Sequence, residues 1–181
     1  MIWLQPQTPR ELGAALGRLK ELHLRNISPE YNLSWTLFLL EAAPLLETLE
    51  LHVFDHICRE TWREKVSRST ELAWEPLSPG FRHRNLKEVW IHRALDACRD
   101  LPFARLLIET AVNLETLILG LYSFKPCQNC IEAEMSFPGL HRTQLRLAGD
   151  KEYTDAIDEK IKKLKHDLSN PVRIRLAVFT S

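Results

Sequence analysis

The chain has 181 residues, with 24 Lys or Arg and 24 Asp or Glu, so its formal net charge is zero. That balance argues against binding of a polyanion such as nucleic acid, and no apolar run in the sequence is long enough to span a bilayer. Four cysteines in a chain of this length do not indicate a disulfide framework. Reduced thiols favour a cytoplasmic or nuclear location.

Four short phrases share one leucine-rich pattern. They are RLKELHLR at 18–25, LLETLELH at 45–52, NLKEVWIH at 85–92 and NLETLILG at 113–120. Aligned on Leu22, Leu49, Val89 and Leu117, the phrases recur at intervals of 27, 40 and 28 residues. The first and last intervals are typical of leucine-rich repeats, and the middle one indicates a repeat with an insertion. Apolar residues two positions apart predict a short strand with one buried side in each phrase.

Helical patterns precede three of these strands. Thr8 as N-cap, Pro9 at the first helical position and Glu11 form a capping signature that opens the first helix. Apolar residues at helical spacing predict further helices over 35–44 and 103–112. Each unit is therefore expected to be a helix followed by a strand, and stacked units bury the face that one unit cannot bury alone.

The remaining segments are less regular. Residues 54–84 lack a helical pattern, and we expect a long loop with a turn at PLSPG and one extra strand near STELAW. A further irregular stretch follows residue 120. A helix with Thr154 as N-cap and a strand over 172–179 then close the C-terminal edge.

These patterns predict an α/β fold, a leucine-rich-repeat solenoid with parallel strands on its concave side and helices on its convex side. We expect one domain over residues 1–181, a fragment of the repeat array. Its units are about 8–27, 34–53, 54–93 with the insertion, and 102–121, followed by a closing segment at 150–180.

Strand residues between the buried leucines should form three rows on the opposite side of the sheet. The predicted rows are Glu21, Thr48, Glu88 and Thr116; His23, Glu50, Trp90 and Ile118; and Arg25, His52, His92 and Gly120. The predicted protein-binding residues among them are Glu50, His52, Glu88, Trp90, His92 and Ile118.

Trp90 beside Ile118 would place an apolar patch on an otherwise polar surface, and tryptophan is enriched among binding hot spots. The alternative is burial of Trp90 under the 54–84 loop. Because His52 lies beside His92, protonation of both imidazoles at once is disfavoured. Partner binding is therefore expected to change with pH in the mildly acidic range.

The sequence also resembles a known family, the plant F-box/leucine-rich-repeat proteins, particularly the FBD-type group of grasses. The similar stretches are WTLFLLEAAPLLETLELHVFDHIC, FRHRNLKEVWI, AVNLETLILG followed by CQNC, and NPVRIRL after the closing helix. The resemblance covers nearly the whole chain. It implies a leucine-rich-repeat domain that recruits a target protein to a ubiquitin ligase.

In that family an N-terminal F-box binds a Skp1-type adaptor, whereas this sequence begins inside the repeats. We therefore expect the target-binding part alone, with no direct binding to such an adaptor. The first repeat has a short cap, so we also expect weak self-association through the N-terminal edge. No membrane or nucleic-acid partner is expected.

No Walker, G-x-S-x-G or H-E-x-x-H motif is present, so we expect no enzyme activity and no cofactor. Cys127 and Cys130 have C-x-x-C spacing, but zinc normally takes four ligands and the sequence offers no second pair. A metal-binding or redox protein built on this loop is nevertheless an open alternative. A degenerate, truncated gene product without a specific partner is another.

Overall fold

Within the described residues a helix precedes four of the five strands, and two strands follow each other where the sequence predicts no helix. The computed structural model describes residues 9–27, 33–53, 78–93, 101–122, 151–166 and 171–179. The strands in these ranges are β1 (Glu21–Ile27), β2 (Thr48–Val53), β3 (Glu88–Arg93), β4 (Thr116–Tyr122) and β5 (Arg173–Phe179). The helices are α1 (Pro9–Leu16), α2 (Leu37–Ala42), α3 (Leu101–Thr110) and α4 (Lys151–His166), and a 3-10 helix at Leu33–Thr36 precedes α2. None of these helices has the length and apolar character needed to cross a membrane.

The described strands form one parallel sheet in the order β1-β2-β3-β4-β5. Leu22 pairs with Leu49, Leu49 with Val89, and Val89 with Leu117, which confirms the predicted alignment of the four phrases. The long interval of 40 residues between β2 and β3 therefore leaves the register unchanged. β5 extends the sheet, with Ile174 beside Leu117.

Every second strand residue points into a core shared with the helices. Leu49 and Leu51 of β2 have no exposed surface, and neither do Leu107 of α3 and Ile157 of α4. All four belong to one cluster of buried residues. Burial of each such side chain contributes about 1.5–3 kcal/mol, whereas a slip of one residue would turn the leucines to the opposite face. The alternation thus sets the register of the α/β sheet.

The start of each central strand repeats one backbone contact. The Lys20 carbonyl oxygen accepts the N–H groups of Glu47 and Thr48 at 2.7 and 3.0 Å, and the Glu47 and Lys87 carbonyls make the same pair of bonds to the next strand. The side chains alternate in charge at the same level, since Glu47 contacts Lys20 at 3.1 Å and Lys87 at 2.8 Å. Neighbouring units are therefore joined identically.

The structure corrects one predicted cap. Helix α4 begins at Lys151, three residues before Thr154. The hydroxyl of Thr154 donates to the carbonyl oxygen of Lys151 at 2.9 Å, so the Thr154 side chain lies within the first turn and does not cap it. A threonine hydroxyl can bond backward along a helix as well as cap one, and sequence spacing does not distinguish the two.

The predicted turn in PLSPG is present. Gly80 has φ 77, a left-handed conformation that favours glycine, and the Phe81 N–H donates to the Ser78 carbonyl oxygen at 2.9 Å. The extra strand predicted near STELAW and the irregular stretch at 123–150 lie outside the described residues. So does Thr8, the predicted first N-cap.

Candidate functional site

The strand residues that alternate with the core leucines form a second side of the sheet, here called the polar face. The strand pairing places its side chains in rows: Glu21, Thr48, Glu88 and Thr116; His23, Glu50, Trp90 and Ile118; and His52, His92 and Gly120. These are the rows predicted from the repeat alignment, apart from Arg25.

Arg25 does not pair with His52 as predicted. β1 takes three residues from Leu24 to Ile27, whereas β2 takes two from Leu51 to Val53. The extra residue in β1 is a bulge-like irregularity that interrupts the ladder. The third row therefore begins at β2.

Exposure on the polar face falls from β1 towards β4. The exposed fraction of the side chain is 43% for His23, 20% for Glu50 and 5% for His92, and Ile118 as a whole is only 6% exposed. Trp90 is half-buried. The predicted open patch of Trp90 and Ile118 is therefore wrong for Ile118, which is a buried residue in the predicted row. The middle row of the polar face is therefore accessible on β1 to β3, buried at Ile118 on β4, and exposed again at Arg175 on β5.

Glu50 lies at the centre of three histidines. Its Oε1 atom is 2.5 Å from Nε2 of His52 and 3.0 Å from Nε2 of His92. Its Oε2 atom contacts Nδ1 of His23. The rings of His52 and His92 stack with their centroids 4.2 Å apart. One carboxylate thus joins imidazoles from three neighbouring strands.

The environment favours an ionised carboxylate and a neutral imidazole at the centre of this cluster. Burial acts to raise the pKa of Glu50, but the hydrogen bonds and charges of His52 and His23 outweigh it and leave that pKa below its ordinary value. Burial lowers the pKa of His92, and the charges of His52 and Arg25 lower it further, against the attraction of Glu50. Both are the forms that act as metal ligands.

Trp90 is held in place from two sides. Its indole Nε1 donates to Oε1 of Glu88 at 2.7 Å. Its ring stacks on His92, with the centroids 5.6 Å apart and the planes 21° from parallel. Because the N–H is satisfied within the face, the half-buried indole offers a rigid apolar contact to anything that docks on β2 and β3.

Glu50, His52 and His92 are also the described residues with the geometry of a metal site. One ligand-type atom from each lies within 4.8 Å of the other two. The repeat alignment predicts His52 beside His92, but no metal site was predicted there. The cluster was predictable from the same rows, because they place His23 beside Glu50 and His52 beside His92. The Cys127 and Cys130 pair falls outside the described part of the chain, so a metal or redox role for it stays an open alternative.

Two asparagine side chains make contacts between units that were not predicted from the sequence. The amide nitrogen of Asn85 donates to the Pro44 carbonyl oxygen at 2.8 Å, and that of Asn113 donates to the Arg84 carbonyl oxygen at 2.8 Å. Asn85 and Asn113 occupy the same position of their phrases, which is the pattern from which the contact was predictable. Each asparagine ties its unit to the preceding one.

The chain is similar to a known protein family. The At1g61320/AtMIF1 LRR domain matches residues 10–163, the greater part of the sequence. No curated protein and no solved structure matches the chain. The match agrees with the repeated phrases and with the parallel sheet that they form, and we conclude that the chain belongs to the At1g61320/AtMIF1 LRR domain family.

Proposed function

We propose that the polar face of β1 to β3 binds a protein partner and that the chain is a non-catalytic recognition module. Leucine-rich-repeat domains generally bind proteins, and they do so on extended strand faces. In this proposal the stacked units continue as a solenoid whose concave side is the polar face. The half-buried indole of Trp90 is the observation that carries it, because the indole interrupts a face that is otherwise polar.

The position of Trp90 suits a binding anchor. It pairs with Glu50 on one side and Ile118 on the other, so it lies in the middle row of the sheet. Hot spots lie near the centre of an interface, where surrounding contacts exclude water. Exposed polar groups such as Glu21 and His23 would form the surrounding rim on β1.

The charges of the polar face suggest the chemistry of the partner. Glu21, Glu50 and Glu88 are on β1 to β3, whereas Arg173 and Arg175 are exposed on β5. A partner with an apolar pocket for the indole and basic residues opposite β1 to β3 would fit. Such complementarity acts mainly on the association rate and on specificity, so association should slow as salt is added.

The resemblance to plant F-box proteins supports a finer proposal, that the partner is a target for ubiquitylation. Affinity capture from plant extract with mass spectrometry, which scores Skp1-type adaptors separately from other proteins, would test it. Targets captured without the adaptor fit a target-binding part. A saturable complex of the purified chain with the adaptor would contradict that reading.

Substitution of Trp90 tests the binding face. Trp90→Ala should weaken binding of a captured and purified partner by at least about 2 kcal/mol, or about 30-fold in Kd, because a hot-spot side chain is lost. Trp90→Phe retains an aromatic ring and should lose less. Leu106→Ala on α3 is the matched control, since Leu106 is 39% exposed and lies off the polar face.

Isothermal calorimetry gives the affinities, and circular dichroism shows whether each variant is folded. Normal partner binding by folded Trp90→Ala protein would refute the proposed face. The proposed face is also refuted if Trp90→Ala unfolds the domain and the other two variants behave in the opposite way to that expected. In that case Trp90→Phe is folded and binds the partner like the unsubstituted chain, whereas the control Leu106→Ala loses binding.

A further inference from the structure

Three histidines surround Glu50 on the polar face. We propose that Glu50, His52 and His92 bind one divalent transition-metal ion of the Zn²⁺ type. His23, which contacts only Glu50 of these three, turns towards the ion as the fourth ligand. The site spans β1, β2 and β3 at the accessible end of the polar face.

The ligand atoms are already close to the required distances. Zinc binds imidazole nitrogen and carboxylate oxygen at about 2.0–2.2 Å, so the ligands of a tetrahedral site are about 3.3 Å apart. Here Glu50 Oε1 is 2.5 Å from His52 Nε2 and 3.0 Å from His92 Nε2. Small side-chain rotations that move these atoms apart make room for an ion between them. Nδ1 of His23 on β1 approaches from the other side, where it contacts Glu50 Oε2.

The donor set selects the class of metal. Imidazole suits Zn²⁺, Ni²⁺, Cu²⁺ and Co²⁺, whereas Mg²⁺ and Ca²⁺ prefer shells made of oxygen. Nε2 of His23 is 3.9 Å from Glu21, a carboxylate placed to orient that ring.

Other surroundings are compatible with a bound cation. The positive charge of Arg25 acts on His92 and would repel a bound cation. The negative charges of the Glu21 and Glu50 carboxylates offset it. The side chains of His23, Glu50 and His52 are 43%, 20% and 28% exposed, so an ion can reach them from solvent. His92 is the buried ligand that would fix the inner side of the site.

The alternative is a network of hydrogen bonds and ion pairs among the same four side chains. Metal titration separates the two. The full chain, purified and stripped with a chelator, is titrated at neutral pH with ZnCl₂ by calorimetry and with CoCl₂ by visible absorption. We expect about one ion per chain, with a Kd of about 1 µM or tighter, and a cobalt spectrum of tetrahedral nitrogen and oxygen ligands without thiolate charge transfer.

Variants identify the ligands. Glu50→Gln and His52→Gln should each weaken zinc binding by at least about 100-fold, since a direct ligand matters more than the supporting groups that are worth 10–100-fold. His166→Gln on the exposed surface of α4 is the matched histidine control and should bind normally. Cys127→Ser with Cys130→Ser should also bind normally.

Circular dichroism confirms that each variant is folded, and the use of two ligand variants guards against failure of one to fold. Absence of zinc binding by the unsubstituted chain overturns the proposal. So does binding that survives both ligand substitutions, or binding that is lost with the cysteines and accompanied by thiolate charge transfer. The partner-binding proposal would stand in any of these cases, because its test uses Trp90 and no metal.

Discussion

Protonation of His83 should destabilise the domain, because this buried residue joins parts of three units through its ring and its backbone. His83 is 1% exposed. Its Nε2 is 3.0 Å from the Ala43 carbonyl oxygen at the end of α2, and its Nδ1 accepts the Leu86 N–H at 3.0 Å. Its backbone N–H donates to the Thr110 carbonyl oxygen at 2.9 Å. A neutral ring with its proton on Nε2 satisfies both side-chain contacts.

Protonation of the His83 ring at low pH disrupts these hydrogen bonds. A second proton would sit on Nδ1, facing the Leu86 N–H, and would place a charge in the interior. Burial therefore lowers the pKa of His83, while the bond to Ala43 opposes the shift less strongly. With the folded-state pKa below the ordinary value of about 6.5, the unfolded chain takes up the proton first. The stability contributed by the neutral ring is present above about pH 6.5 and is lost as the pH falls through the folded-state pKa.

His83→Phe retains the ring but removes both polar contacts. The buried Leu86 N–H loses its acceptor, at about 1–3 kcal/mol. The Ala43 oxygen still accepts the Leu46 N–H at 3.0 Å, so its loss is a single net bond, about 0.5–1.5 kcal/mol. The expected decrease in the free energy of unfolding is about 1.5–4.5 kcal/mol near pH 7.5.

Urea denaturation followed by circular dichroism, at about pH 7.5 and pH 5.5 on either side of an ordinary histidine pKa, measures this. The difference between His83→Phe and the unsubstituted chain should shrink at the lower pH, since the variant has no imidazole to protonate. Exposed His166→Phe is the control and should change stability by less than about 0.5 kcal/mol. An equal difference at both pH values, or a His83→Phe decrease below about 0.5 kcal/mol, would refute the reasoning.

Two further substitutions test the core and the contacts between units. Leu107→Ala should lower the free energy of unfolding by about 2–5 kcal/mol, because Leu107 has no exposed surface, whereas its exposed neighbour Leu106→Ala should change it by less than about 1 kcal/mol. Equal effects in urea denaturation would mean that α3 does not face the sheet as described. Asn113→Ala should cost about 0.5–1.5 kcal/mol by removing its bond to the Arg84 carbonyl oxygen. An unchanged urea midpoint would show that water replaces this contact.

The strand register was predictable from the sequence because burial is periodic. Leu49 and Leu51 can be buried together only if every second residue of β2 faces the core, and the same holds for the equivalent residues of β3 and β4. Side chains such as Glu50 and Trp90 were therefore assignable to the opposite face from their spacing alone. The insertion before β3 did not disturb this, because strand pairing depends on the aligned apolar residues and tolerates long connections.

The contacts made across the rows were not predictable in the same way. Glu50 reaches His92 diagonally, and which carboxylate oxygen meets which ring depends on side-chain rotamers. Thr154 shows the same limit, because its hydroxyl bonds within the helix where the sequence suggested a cap. Such choices are settled by packing around each side chain.

The sequence by itself determined the repeat, the parallel order of the first four strands and, apart from Arg25, the residues that share each row, because these follow from one-dimensional spacing. Only the tertiary structure decided that Ile118 is buried while Trp90 remains half-exposed, although both lie in one row. It also decided that three histidines converge on Glu50. Exposure and convergence depend on neighbours from several strands at once, and such neighbours become adjacent only when the sheet has formed.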